Sequence, residues 1–516
     1  MLGNSRTEYI FIRICIVLLR AVAPLSIAYL IYCFARGIAI VSSPVGLAAL
    51  AEASFFLFVY LPRKRQLQKH IHFPRRLERQ ARQELFQRCV HTASDSTTYP
   101  AGWFLPIPDA TPADSDTPQT TDKSTPTFLS YDNVREWLLW AFFHAELHEA
   151  QEEWTEEIDA YLAVVEQYIG RPLDKGAVAT SRGMRVTMDT VPMVYRPLIW
   201  YSIVAGVDHT TAARLWYMGF EHYAPARAFD MFPPRLWTPF SHPSAAAPYS
   251  YWYRPGSKSS SALPILFIHG IGIGLYPYVP FIQDLIARDP GQSIILLELL
   301  PISMHITHPL PPLDTSLAAI RALLRSLRLP RIVLAAHSYG TVVAAHILRS
   351  PLRAHIAHAA LIDPIPFLLH LPDVAHNFHY RTPRPGRANE WQLWYFAGRD
   401  PDVARTIGRA FFWAQNVLWE EDVRAFCRGE GEGDERRKRS LTVVLSGEDQ
   451  IVNAEAVRRY LTKEDRARSR YMRQGGAEEG DLEVLFYRGL DHAMVFDTPG
   501  RRKPLVDSVS RYAHDA

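Results

Sequence analysis

From residue 10 to residue 61 the chain is almost continuously apolar, and Ala35-Arg36-Gly37 divides this stretch into runs at 14–34 and 38–61. A helix crosses the ~30 Å hydrocarbon core of a bilayer in about 20 residues, so either run is long enough to span. Arg20 and Pro24 interrupt the first run. An arginine at mid-membrane costs about 2.5–3.5 kcal/mol on insertion scales and normally finds a partner. Glu52 stands as far after the reversal at Arg36 as Arg20 stands before it, which predicts a helical hairpin closed by an Arg20–Glu52 pair. Pro62-Arg63-Lys64-Arg65 and Lys69 follow at once, a basic flank that orients such a hairpin with both ends and the downstream domain in the cytosol. One anchor with an interfacial helix is the other arrangement the pattern allows. A cleaved signal peptide fits less well, because no small-x-small site follows a short apolar core.

The polar texture changes after the anchor. Residues 66–87 are basic and helix-forming, whereas 93–127 are rich in Ser, Thr, Asp and Pro and read as a surface insertion or linker. Within that region Gly102-Trp103-Phe104-Leu105 is too apolar to hang free and is expected to dock on the folded body. Asp132 and Asn133 are candidate caps for a helix carrying Trp137, Leu138, Trp140 and Phe142. A second helix is expected over 154–168, where Trp154, Ile158, Tyr161, Leu162, Val165 and Tyr168 recur near a 3.6 period before Gly170 and Pro172. The apolar stretch 194–220, broken by Arg196, Asp208 and Arg214, is expected to be core or a membrane-facing helix.

From residue 249 the pattern becomes short apolar runs alternating with amphipathic stretches. Strands are predicted at 249–253, 264–268, 293–297, 332–336, 359–362, 442–445 and 483–487, and helices at 280–288, 316–327, 342–348 and 454–461. Continuous apolar strands alternating with helices predict an α/β class, a mostly parallel sheet covered on both faces. Three parts result: an anchor at 1–65, a helical region at 66–248, and an α/β unit at 249–516.

Composition changes this picture little. The 516 residues carry 56 Lys and Arg against 53 Asp and Glu, a net +3 that gives no case for nucleic-acid binding. Cys15, Cys33, Cys89 and Cys427 are scattered without a C-x-x-C pair, which argues against a zinc site or a disulfide framework. Protein partners are not legible.

The chemistry concentrates in the α/β unit. Ala336-His337-Ser338-Tyr339-Gly340 lies between a predicted strand and an apolar helix, the context of a nucleophile elbow, with Ala336 where that pattern usually has glycine. A serine hydroxyl needs a histidine to take its proton, and the histidine needs a carboxylate to fix its tautomer. Asp449 in Ser446-Gly447-Glu448-Asp449 and His492 in Gly489-Leu490-Asp491-His492 each follow a late strand, so Ser338, Asp449 and His492 are the predicted triad. Asp363, ending the strand at 359–362, is the alternative acid; Glu448 and Asp491 are expected to be solvated. His269-Gly270-Ile271-Gly272 follows the strand at 264–268, making the Ile271 N–H a candidate oxyanion donor beside that of Tyr339, with His269 bracing the loop. Gly272 and Gly274 lack the Lys-Ser or Lys-Thr of a phosphate loop. His305 and His308 have no acidic or sulfur neighbours in sequence for a metal site. No cofactor or metal is implied.

With these motifs, His-Gly-Ile-Gly, His-Ser-Tyr-Gly, Gly-Glu-Asp and Asp-His-Ala-Met, the chain resembles the α/β-hydrolase superfamily over about residues 249–516. With Val59-Tyr60-Leu61-Pro62-Arg63-Lys64 and Trp394-Tyr395-Phe396-Ala397 the whole chain looks like a group of membrane-anchored fungal hydrolases. The resemblance implies hydrolysis of an ester, thioester or amide through an acyl-enzyme, or acyl transfer with the same triad. A scaffold that retained the fold would have no need of all three residues. The serine disfavours the branches that use aspartate there, the epoxide and haloalkane hydrolases. The long separation of Ser338 from Asp449 leaves room for an inserted cap at 364–437, rich in aromatics and expected to line a lipophilic ester pocket. The charged run 428–439 is expected to be a solvated loop.

Overall fold

The structure, a computed structural model, describes residues 3–40, 43–70, 76–93, 99–106, 129–177, 181–225, 230–257, 260–429, 438–475 and 479–515. Most of the predicted linker and of the charged loop at 428–439 lie outside the described residues.

The apolar front is a helical hairpin. Helix α1 (Arg6–Arg36) starts in a capping box between Ser5 and Glu8 and runs unbroken through Pro24. It stops at Gly37, whose φ of 67° lies in the left-handed region where a Cβ is costly. Helix α2 (Pro44–Ser54) opens with Ser43 accepting from the Gly46 N–H and proline in its first turn. It continues through a widened turn, Phe55–Tyr60, into α3 (Leu61–Leu67). Both arms, Arg6–Arg36 and Pro44–Leu67, are long and apolar enough to cross a membrane.

Glu52 does not pair with Arg20. Its carboxylate accepts from the Tyr195 hydroxyl at 2.6 Å and the Leu198 N–H at 3.0 Å, so the acid is held by the body and not by the neighbouring arm. Arg63 in the basic flank turns inward to the buried carboxylate of Asp402 and the Thr307 carbonyl.

The helical region does not stand apart from the α/β unit. Helix α4 (Arg79–Thr92) is shorter and later than the predicted basic helix. Helix α5 (Tyr131–Leu138) is capped by Ser130; Asn133 lies inside it, its amide donating to Ser181. Helix α6 (Thr155–Ile169) ends at Gly170. Strands β1 (Phe104–Pro106) and β2 (Ser181–Gly183) form a small antiparallel sheet beside them. These elements share one apolar core with the cap: Trp103 Nε1 donates to the His370 carbonyl at 2.8 Å, and Phe142 meets Trp413 edge-on at 5.6 Å. Helix α7 (Leu198–Tyr217) buries Trp200, Val204 and Leu215 but exposes Ile199, Ile203 and Trp216.

The central sheet begins earlier than its sequence pattern suggests, at β3 (Glu221–Ala224) and β4 (His242–Pro243). It continues through β5 (Ser250–Arg254), β6 (Ile265–Ile268), β7 (Ile294–Glu298), β8 (Ile332–His337), β9 (Ile356–Ile362), β10 (Leu441–Ser446), β11 (Arg470–Arg473) and β12 (Leu482–Tyr487). The spatial order is 11-12-10-9-8-6-7-5-3-4, parallel from β12 to β7. β5 joins antiparallel to β7 and to β3, and β11 antiparallel to β12.

The inner strands are mostly apolar on both faces because both faces are covered. Leu266 and Ile268 join the core beneath α9 (Leu313–Ser326) and α10 (Gly340–Leu348), while Ile265 and Phe267 join that beneath α8 (Val279–Arg288) and the C-terminal helix Pro499–His514. Alternate side chains of one strand thus enter opposite cores. This is the α/β-hydrolase arrangement, with the cap inserted between β9 and β10.

Candidate active site

Strand β8 delivers Ser338 into a sharp turn that leads directly into α10. Ser338 has φ of 52°, an unfavourable backbone for a residue with a Cβ. The strain is held by its N–H donating to the Ile362 carbonyl at 2.9 Å and its carbonyl accepting from the Thr341 N–H at 2.9 Å. Two residues on, a Cβ at Gly340 would stand 2.3 Å from the Ile268 carbonyl oxygen, so only glycine lets α10 approach β6 this closely. Ala336 is fully buried, and the methyl is accommodated where the usual pattern has glycine.

The loops after β10 and β12 bring Asp449 and His492 to this serine. His492 Nε2 lies 2.8 Å from Ser338 Oγ, and Nδ1 lies 2.6 Å from Asp449 Oδ2. The other Asp449 oxygen accepts from the N–H groups of Ile451 and Val452 at 2.7 and 3.0 Å, which fixes the carboxylate. Burial alone would depress the His492 pKa, but Asp449, its hydrogen bond, Asp363 and Asp491 raise it to about 9. Burial pushes the Asp449 carboxyl up against the opposing pull of the imidazole.

A second buried tier supports this one. Asp363 accepts from the N–H groups of Ser446 and Ala493 at 2.9 and 2.8 Å and stands 3.7 Å from His337 Nε2. Its burial disfavours the charge, yet His337, His492 and the Ala493 N–H together hold its pKa below the ordinary value. It thus faces the His492 ring without taking its Nδ1 proton. The Tyr278 hydroxyl accepts from the Gly270 N–H at 3.1 Å and lies 2.8 Å from His337 Nδ1. Burial lowers the His337 pKa to about 4, so this imidazole is neutral. His269 is buried, its Nε2 accepting from the Leu299 N–H at 2.9 Å and its Nδ1 lying 2.8 Å from the Gly270 carbonyl.

Asp491 is not solvated as expected. It is buried, and it accepts from the amide and backbone of Gln450, the Asn389 amide and the His492 N–H, because the loop after β12 folds under the cap. Glu448 is exposed. His305 has an acidic neighbour that sequence distance hid. Its Nε2 meets Asp208 at 2.7 Å, and Arg235 bridges Asp208 to Glu298 in a buried network.

For the oxyanion, Gly272 N–H is engaged by the Ile302 carbonyl at 3.1 Å and Ser338 N–H by Ile362. Ile271 and Tyr339, whose N–H groups are the expected donors, flank Ser338 in the wall of one cavity.

Two voids meet at Ser338. One is narrow and apolar, about 40 Å³ between Ile365, Phe378, Phe411 and Trp413 of the cap side and Trp103, Trp140 and Val186 of the helical region. The other is an open groove of about 680 Å³ that reaches past His492 to α1 and α7. Trp103, Trp140, Val186 and the α1 residues carry no local motif. Their aromatic and apolar character reads equally as core, and only the tertiary fold brings them to the serine.

Residues 265–502 match the model of the alpha/beta hydrolase family. No curated protein sequence gives a significant match. Among solved structures the chain is similar to a bacterial membrane phospholipase A, with 12% identity over 62% of this chain and 94% of that one at a TM-score of 0.37. It is also similar to the carboxylesterase CesB of Bacillus subtilis, with 11% identity over 60% of this chain and 97% of that one at a TM-score of 0.35. A thermophilic esterase of Thermogutta terrifontis has 16% identity over 52% of this chain and 94% of that one at a TM-score of 0.33.

Proposed function

On the premise that residues 265–502 are an α/β-hydrolase domain and the chain is a hydrolase, we propose that it is a membrane-anchored serine hydrolase that cleaves a lipophilic ester through Ser338, His492 and Asp449. The observation that carries this reading is His492, held between Ser338 Oγ and Asp449 on its two ring nitrogens, with Ser338 in the wall of an apolar cavity. In the proposed cycle Ser338 Oγ forms a bond to the ester carbonyl carbon as its proton passes to His492 Nε2. Ile271 and Tyr339 N–H groups face the oxyanion. The carbon–oxygen bond to the alcohol then breaks, and Nε2 returns the proton to the departing oxygen. Water repeats the sequence on the acyl-enzyme, releasing the acid and restoring Ser338. Asp449 keeps the imidazole in the tautomer that presents Nε2 as base. Arg6–Arg36 and Pro44–Leu67 support an anchor in the bilayer, and the exposed Lys64 and Arg65 at its end support a cytosolic catalytic domain.

The test uses full-length protein in membranes with a fluorophosphonate probe. Wild type is expected to label and Ser338→Ala not to; unchanged labelling of Ser338→Ala, or none of wild type, overturns the reading. Glycosylation tags near residue 36 and after residue 67 check topology, and modification of the downstream tag would reverse it.

A further inference from the structure

The groove beside Ser338 has an unusual wall. Phe11, Cys15, Leu18 and Leu19 of α1 line the same void as Ser338 and His492, with Ile203 of α7 among the facing residues. Resting on the serine-hydrolase and anchor readings above, we propose that the substrate is a bilayer-resident ester with an apolar chain on each side of the scissile carbonyl. It reaches Ser338 laterally along α1. The acyl chain to be cleaved occupies the narrow cavity, and the rest of the molecule lies in the groove against α1.

The depth of the groove follows from how the hairpin is seated. Up to Leu19, α1 rests on the catalytic body: Ile12 and Ile16 are buried against Ala388 and Tyr395, and Leu19 packs on the cluster of Trp200 and Met304. The second arm rejoins the body at Glu52. A crossing of about 20 residues that ends near residue 34 must begin near residue 14. Cys15, Leu18 and Leu19 are then within the hydrocarbon, and the groove opens to lipid and not to water. The outer surface agrees with that placement, because Phe11, Leu18, Ile199 and Ile203 are all about half exposed or more, a continuous apolar rim for the mouth.

The lining also selects the occupant. Arg13 of α1 is stacked on the Trp391 ring at 3.6 Å, and neither it nor Arg20 lines the groove. Besides His337 and His492, Asp497 is the charged side chain in the groove wall, beside the thiol of Cys15 and the phenol of Tyr278. A charged, water-soluble leaving group would therefore lie on apolar side chains without a partner. An ester with a small alcohol would leave the larger groove, about 680 Å³, bare. A second apolar chain covers it.

The experiment uses full-length protein in phosphatidylcholine vesicles, with Cys15→Trp and Leu18→Trp against Leu25→Trp and Ile31→Trp, which lie farther along α1 and outside the groove. The reading is the ratio of kcat/KM for a dioleoyl glycerol ester to that for p-nitrophenyl octanoate. Both groove variants are expected to lower this ratio about tenfold or more, as a misfit of one or two methylenes does in an apolar pocket, while both controls keep it. The thermal midpoint of each variant checks that it is folded, and fluorophosphonate labelling of the wild type checks its serine. An unchanged ratio in the groove variants, or an equal fall in the controls, overturns lateral access. Absence of wild-type labelling instead overturns the hydrolase reading, so the two failures are distinguishable.

Discussion

Arg63, at the end of the second apolar arm, donates to both carboxylate oxygens of Asp402 in the cap. The pair joins the apolar hairpin to the element that roofs the cavity, and Asp402 is almost wholly buried. Burial raises the Asp402 pKa to about 7 even with Arg63 beside it. Removing the arginine leaves a buried carboxylate without its counter-charge, a loss of about 3–5 kcal/mol for pairs of this kind. Arg63→Met is therefore expected to lower the thermal midpoint. An acid whose folded pKa is raised resists folding more as pH rises, so the deficit is largest above pH 7 and shrinks as pH falls and the carboxyl protonates. Arg63→Met with Asp402→Leu is expected to recover most of it. Equal deficits at pH 5.5 and 8.5 would show that the charge is not the cause.

Asp449 and Asp363 both face His492, and their roles separate kinetically. Asp449 holds Nδ1, so Asp449→Asn permits the wrong tautomer and is expected to reduce kcat by about 10³–10⁴. Asp363 acts through its field and through the Ser446 and Ala493 N–H groups. Asp363→Asn is expected to retain far more activity. Equal losses in the two variants would assign the acid's role to both.

The same geometry fixes the sign of the pH dependence. With a pKa raised to about 9, His492 in the free protein is protonated at neutral pH and becomes a base as pH rises. The kcat/KM profile is therefore expected to climb with pH, its midpoint lying above the ordinary histidine value of about 6.5. Asp363→Asn removes one negative charge facing the ring and is expected to move that midpoint down. A midpoint that stays put in Asp363→Asn would remove Asp363 from the electrostatics of the site.

Much of this was legible in the sequence because it is local. A strand buried on both faces is largely apolar on both, so β6 to β10 and β12 stand out as short apolar runs. The tight turn after β8 demands Gly340, so Ser338 is visible as an elbow. The edge strands β4 and β11, and β3 beside β4, were not, since a short strand half exposed to solvent has no continuous apolar run. The partners of isolated charges were hidden for a different reason. Arg63 with Asp402, Asp208 with His305, and Glu52 with Tyr195 meet across the fold, and pairing at matched depth on a hairpin looks only at the nearest arm. The cavity wall was the least readable part, because Trp103, Trp140 and Val186 are apolar residues of a helical region that gives no sign of facing a serine.

That wall sets the last prediction. The narrow cavity is closed by Val186 on one side and Trp413 on another, both buried. Val186→Phe narrows it, and Trp413→Ala opens it at a stability cost of about 3–5 kcal/mol. If the acyl chain lies here, the two variants shift chain-length preference in opposite directions. The ratio of kcat/KM for p-nitrophenyl dodecanoate to that for the butanoate is expected to fall in Val186→Phe and to rise in Trp413→Ala. The measurement is made well below the lowered thermal midpoint of Trp413→Ala, so that unfolding does not enter the ratio. Shifts in the same direction, or none, would place the acyl chain elsewhere.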